Sequence, residues 1–208
     1  MTRLVLATHN QHKVVELRRI LADAGLAGVE VLSSDDVPDL PDVAETGTTF
    51  AENALLKAHA VAAATGLPAV ADDSGLCVGV LGGAPGVFSA RWSGRHGDDR
   101  ANLELLLAQI ADVPDEHRSA WFTCAAALAL PDGREHVVEG RLDGEVVRAP
   151  RGTNGFGYDP VFVPAGDTRT TSELSDAEKD AISHRGRALR ALVPVLRAML
   201  PASPASSS

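Results

Sequence analysis

Hydrophobic positions follow two rhythms along this chain, short unbroken runs and helical spacings, and their alternation predicts an α/β fold. Residues 4–7 form a first apolar run that reads as a strand buried on both faces. Residues 13–24 place Val14, Leu17, Ile20, Leu21 and Ala24 on one side of a helix, which Gly25 stops. A second strand reads over 29–32, and the acidic, Pro-containing stretch 33–48 reads as a loop. Thr49-Phe50-Ala51-Glu52 then has capping-box spacing at the head of an Ala-rich helix that runs to Thr65 before Gly66. Residues 67–71 are short, small and uncharged, which predicts another buried strand. Residues 102–110 read as a helix capped by Asp98 or Asp99. Strands follow over 121–130 and 136–147, joined by the turn Pro131-Asp132-Gly133. Ser175-Asp176-Ala177-Glu178 repeats the capping-box spacing, and 187–200 form a last amphipathic helix that Pro194 should bend or break. No internal repeat or linker cuts the chain, so 1–200 reads as a single domain and 201–208 as a disordered tail.

Composition narrows the class. A chain of 208 residues can build one large domain or two closely joined lobes with a substantial core. With 45% hydrophobic and 23% charged residues it is an ordinary globular protein. A net charge of −9 and a pI near 5.2 argue against a nucleic acid polymer as partner. A small anionic ligand stays compatible, because a few Lys, Arg and backbone amides can reverse the field inside a cleft. The apolar start of the chain is too short for a signal peptide or a membrane span. Cys77 and Cys124 lie in apolar surroundings without metal-ligand spacing and read as buried free thiols rather than a disulfide. These features predict a cytoplasmic protein with no membrane partner.

The densest chemistry is Asp72-Asp73-Ser74-Gly75, directly after the apolar run 67–71. Two like charges at the end of a buried strand are expensive unless a cation, donors or water share the site. Gly75 offers the turn there, and ligands of α/β proteins gather at strand carboxyl ends, so the tetrapeptide marks a candidate metal-dependent site. Thr8-His9-Asn10-Gln11-His12-Lys13 joins the first strand to the first helix, where free amides and the helix dipole favour a phosphate. Taken alone, that segment reads as a helix cap with an exposed Lys, and it lacks P-loop spacing. Glu45-Thr46-Gly47 precedes the capped helix, on which Asn53 and Lys57 share a face. Glu45 either complements the helix dipole or completes an oxygen set for Mg²⁺, which prefers few carboxylates, waters and phosphates.

Two later segments offer recognition chemistry. Gly155-Phe156-Gly157-Tyr158-Asp159-Pro160 is a glycine-flanked aromatic pair that reads equally as a packed turn or as a stacking face for a planar base. Lys179 and Ser183-His184-Arg185-Gly186 cluster cations and donors near the start of the last helix, suited to a base carbonyl or to phosphate oxygens. An exposed basic helix end is the plain alternative. His59, His96, His117 and His136 have no partners at ligand spacing.

Taken in order, Thr8-x-Asn10-x-x-Lys13, Glu45-Thr46-Gly47-x-x-Phe50-x-x-Asn53-Ala54, Asp72-Asp73-Ser74-Gly75-Leu76, Gly82-Gly83-Ala84-Pro85-Gly86, Gly155 to Pro160 and Ser183-His184-Arg185-Gly186 closely resemble the inosine/xanthosine triphosphate pyrophosphatase family. The resemblance spans about residues 4–198. It implies two α/β lobes around a long mixed, twisted sheet with flanking helices, and a nucleotide cleft between them. It further implies a homodimeric, Mg²⁺-dependent enzyme that hydrolyses ITP, dITP and XTP to the monophosphate and pyrophosphate. By the family pattern Asp73 is the proton acceptor and a metal ligand, with Glu45 and Asp72 beside the metal. Thr8, His9, Asn10, Gln11, His12, Lys13, Ser74, Phe156, Gly157, Tyr158, Asp159, Lys179, His184 and Arg185 match substrate-binding positions. His9 and His12 fill variable slots, and Asn154 stands where a Gly is common. A related pyrophosphatase acting on pyrimidine or methylated nucleotides and a non-catalytic nucleotide-binding or sensor module are the rival readings.

Overall fold

The computed structural model describes residues 2–200, and the expected disordered tail lies outside them. Strand β1 (Thr2–Leu6), helix α1 (Gln11–Asp23) and strand β2 (Val29–Leu32) open the chain. Helix α2 (Phe50–Thr65) leads to β3 (Ala69–Val78), α3 (Asp99–Gln109), β4 (Ser119–Ala129) and β5 (Glu135–Val146). Strand β6 (Phe162–Pro164) and helices α4 (Asp176–Ile182) and α5 (His184–Met199) follow. The strands form one mixed sheet in the order β2-β1-β3-β4-β5-β6, parallel at β1 with β2 and β3 and antiparallel at β5 with β6. This is the expected α/β class. No helix among the described residues is long and apolar enough to cross a membrane.

Local signals set several boundaries as expected. Thr49 and Glu52 close the capping box of α2, and Gly66 ends the helix in the left-handed region at φ 66°. Asp98 caps α3 by accepting from the Ala101 amide, and Ser175 with Glu178 caps α4. Val14, Leu17, Ile20 and Leu21 are the buried face of α1. Helix α5 starts three residues earlier than its periodicity suggests, at His184, and runs through Pro194 without a break. Cys77 and Cys124 are free and buried.

Strand β3 departs from the expectation. It does not stop before Asp72 but continues through Asp72-Asp73-Ser74-Gly75 to Val78, so the tetrapeptide lies in mid-strand and Gly75 makes no turn. Leu76, Cys77 and Val78 form a second apolar run, 0%, 8% and 0% exposed, and burying it carries the strand onward. Local turn chemistry loses to tertiary burial.

The chain divides into two compact units. Unit 1 takes the chain up to Asp73, Ala125–Gly140 and the chain from Arg187, and unit 2 takes Ser74–Cys124 and Arg141–Gly186. In unit 1, Ala54, Ala58, Val61 and Ala62 of α2 pack on Val5, Leu32, Ala69, Ala71, Ala125, Ala127 and Ala129. The small side chains let the helix backbone lie close to the strands. Unit 2 uses bulk instead. Leu103, Leu106 and Ile110 meet Leu76, Val78, Phe122, Leu142, Val146, Tyr158 and Phe162, with Phe122 and Phe162 edge to face at 4.7 Å.

Candidate active site

In unit 1 the charged residues pair with one another. Asp72, only 6% exposed, takes Lys13 Nζ on both carboxylate oxygens at 3.0 and 2.8 Å. Next to it in β3, Asp73 accepts from Asn53 Nδ2 at 3.0 Å through Oδ2 and faces Lys57 Nζ at 3.6 Å through Oδ1. Lys57 also donates to Glu45 at 2.8 Å, so Glu45 and Asp73 share one ammonium. Burial opposes the charge on Lys57, but Asp73 and Glu45 outweigh it and hold its pKa above the ordinary lysine value. Asn53 and Lys57 reach the same site because four residues of helix separate them.

The loop before α1 is ordered by its own side chains. Asn10 Oδ1 caps α1 by accepting from the His12 amide at 2.9 Å, and Thr8 Oγ1 accepts from the Asn10 amide at 3.1 Å. His9 and Gln11, expected to face substrate, both reach Asp35, at 2.6 and 3.2 Å. These bonds hold the Asp35 carboxyl below its ordinary pKa. The segment forms a helix cap, and Lys13, read there as exposed, is half-buried against Asp72.

Unit 2 holds the remaining expected residues. Phe156 is 64% exposed, with Lys179 Nζ 5.2 Å from its ring centroid. Asp159, 5% exposed, organises this loop from inside. It accepts from Lys179 and from the Phe156 amide at 2.9 Å, and on its other oxygen from Thr171 Oγ1 at 2.9 Å. Gly155, at φ 79°, has no room for a Cβ, which would fall 2.2 Å from Asp159 Oδ2. Gly157 donates to Asp99 at 2.9 Å, and the buried Tyr158 hydroxyl donates to the Ser89 carbonyl at 3.0 Å. Burial raises the Tyr158 pKa well above the usual phenol value. Tyr158 and Asp159 thus meet protein partners, while Phe156 presents its ring to solvent. His184 stacks on Phe122 with centroids 4.9 Å apart and planes 11° from parallel. Arg185 follows in the first turn of α5, and Ser74, half-buried, is the first residue of unit 2.

The donor set also bears on a metal. Among the described residues no three His, Cys, Asp or Glu side chains converge as a ready ligand set. Asp72, expected beside the metal, is turned onto Lys13. Glu45 and Asp73, gathered around one cation, fit Mg²⁺, which takes one or two carboxylates and fills its shell with waters and phosphate oxygens.

Spacing alone did not assign the partners of these groups. Lys57 and Asn53 were visible only as a shared helix face, and nothing local links Phe122 to His184 or Asp35 to His9.

Fold and site together define an α/β protein with a paired carboxylate–lysine cluster on one unit and an aromatic, donor-rich loop set on the other. The chain belongs to the Ham1 family, whose model matches residues 4–195. It is 70% identical over 200 residues to the dITP/XTP pyrophosphatase of Streptomyces avermitilis, covering 96% of this chain and 100% of that one. The crystal structure of the nucleoside-triphosphatase / dITP/XTP pyrophosphatase from Mycobacterium abscessus matches with a TM-score of 0.81 at 57% identity, over 94% of this chain and 100% of that one. A HAM1 protein from Coxiella burnetii matches with a TM-score of 0.87 at 42% identity, over 95% and 100% of the two chains. The resemblance read from six ordered motifs and the family match cover nearly the same residues.

Proposed function

We propose that this protein is a Mg²⁺-dependent dITP/XTP pyrophosphatase that also takes ITP, and releases the nucleoside monophosphate and pyrophosphate. The observation that carries the reading is the Asp73 carboxylate, held by Asn53 and Lys57 beside Glu45. Its relatives, dITP/XTP pyrophosphatases by name, supply the substrate class.

Cleavage between the α- and β-phosphates needs water to form a bond to phosphorus as the bridging oxygen leaves with pyrophosphate. Asp73 takes the proton from that water, a role worth roughly 10²–10⁴ in rate. Glu45 and Asp73 would hold Mg²⁺, whose charge would neutralise the phosphate oxygens. Lys13, oriented by Asp72, and the donors at 8–13 hold the triphosphate in line. Phe156 stacks on the purine, with Lys179 and Ser74 as further contacts. His184 and Arg185 donate to the 6-oxo group. Adenine presents an amino donor there, which leaves buried donors unpaired and separates 6-oxo from 6-amino purines.

A homodimer and a cytoplasmic location belong to the same reading. Exposed Val80 and Phe88, at 48% and 52%, are apolar side chains that a second copy would cover. Pyrophosphate release from ITP, dITP, XTP, GTP, ATP and dTTP, with and without Mg²⁺, tests the function. Metal-dependent turnover of ITP, dITP and XTP far above ATP is expected, and equal turnover of ATP and ITP overturns the recognition of the 6-oxo group by His184 and Arg185. Sedimentation of the full chain tests the dimer.

A further inference from the structure

Asn53 is an odd residue for its place. It sits on the second turn of α2, on the face that is otherwise alanine and valine, and it is 0% exposed. Asparagine is a poor helix former, and a wholly buried amide is costly unless both of its ends are bonded. Here both are. The side-chain carbonyl accepts from the Gly47 amide at 2.8 Å, and the side-chain NH₂ donates to Asp73 Oδ2 at 3.0 Å. The partners fix the orientation of the amide. A flipped side chain would set donor against donor at Gly47 and acceptor against carboxylate at Asp73.

We infer that Asn53 is the positioning residue of the reaction. It fixes the rotation of the Asp73 carboxylate, committing Oδ2 to itself and directing Oδ1 to the side where Lys57 and Glu45 lie. Through Gly47 the same side chain also pins the segment that carries Glu45, two residues earlier. Gly47 is matched to this task, because a Cβ there would stand 2.7 Å from Asn53 Oδ1 and 2.7 Å from Glu52 Cβ. Leucine would fill the space but orient nothing, and glutamine would reach too far. The inference rests on the reading of Asp73 as base.

The test is a double-mutant cycle on the full chain, read as steady-state pyrophosphate release from ITP. Asn53→Ala lowers kcat roughly 10- to 100-fold, the usual scale for a group that orients a reacting one, with KM changed less than about threefold. In an Asp73→Asn background the same substitution costs several-fold less than in the wild type, since the part of its effect that passes through Asp73 is already lost. Gly47→Ala keeps Asn53 and displaces it, so it reproduces the kcat loss and the coupling if Asn53→Ala folds poorly. An equal kcat loss with and without Asp73 overturns the inference and leaves the base assignment standing. Undiminished turnover by Asp73→Asn alone overturns both.

Discussion

On the proposed function the two units take different tasks and use different materials. In unit 1 the reactive groups are charges that neutralise one another, mounted on the interior of α2, the start of α1 and the middle of β3. In unit 2 they are a ring, an imidazole, backbone amides and the cations Lys179 and Arg185, mounted on a glycine-rich loop, a seven-residue helix and the first turn of α5. The cores beneath them differ in the same sense, alanine-lined in one and built of large side chains in the other. Chemistry on phosphorus needs charges held to tenths of an ångström, which regular elements supply. Reading a base needs an exposed face and a few donors, which loops supply once one buried group, here Asp159, locks them.

Substitutions that break one side alone separate the two roles. The largest loss is expected for Asp73→Asn, with kcat down about 10³-fold, an unchanged melting temperature and little change in KM. Rate loss shared equally between kcat and folding would end the assignment of unit 1 to chemistry. Lys57→Met comes next, with kcat down roughly 10- to 100-fold, because Glu45 and Asp73 are left as like charges facing each other. Its pH signature follows from the raised pKa of Lys57. The stability that the ammonium contributes is complete below about pH 10.5, the ordinary value, and is lost only as pH rises through the higher folded value. Thermal scans should therefore converge for wild type and Lys57→Met only in strong alkali.

Unit 2 should respond through KM. Phe156→Ala removes a stacking face worth about 1–3 kcal/mol, so KM for ITP rises about 10-fold while kcat and stability stay close to wild type, as the ring is 64% exposed. A kcat loss instead would move Phe156 from recognition to chemistry. The smallest effect is expected for Glu178→Gln, which keeps the cap on α4 but removes its charge. Ser175 and Arg169 hold the Glu178 carboxyl down at about 2, against 4.5 ordinarily. A depressed folded pKa means stability present above 4.5 and lost as pH falls toward 2. Melting temperatures of the two proteins should differ slightly at pH 7 and approach each other at pH 3.

What was legible in the sequence was local. The capping boxes at Thr49 and Ser175, the left-handed stop at Gly66 and the buried face of α1 depend on neighbours within a turn, and each lies where it was read. Carboxylates and lysines announce a charged site by type and number. Their partners are long-range, however, and spacing carries no trace of them. Asp73 meets Asn53 across 20 residues, and Asp72 meets Lys13 across 59. Asp72 to Gly75 read as a strand end for the same reason. The run that keeps the strand going, Leu76 to Val78, is buried by residues of unit 2 such as Leu103 and Phe122.

The alanine face of α2 has a consequence for how this chain can vary. Ala54, Ala58 and Ala62 share one buried cluster with Ala69, Ala71 and Ala125, and Asn53 and Lys57 ride on the same helix. An alanine-to-valine exchange, harmless on most helices, would here act as a shim, lifting the helix and carrying both side chains away from Asp73 together. Mutational tolerance should therefore be lowest along a row of residues that never touch the reaction. Substitutions on the outer face of α2 should be accepted, and those on the inner one should not.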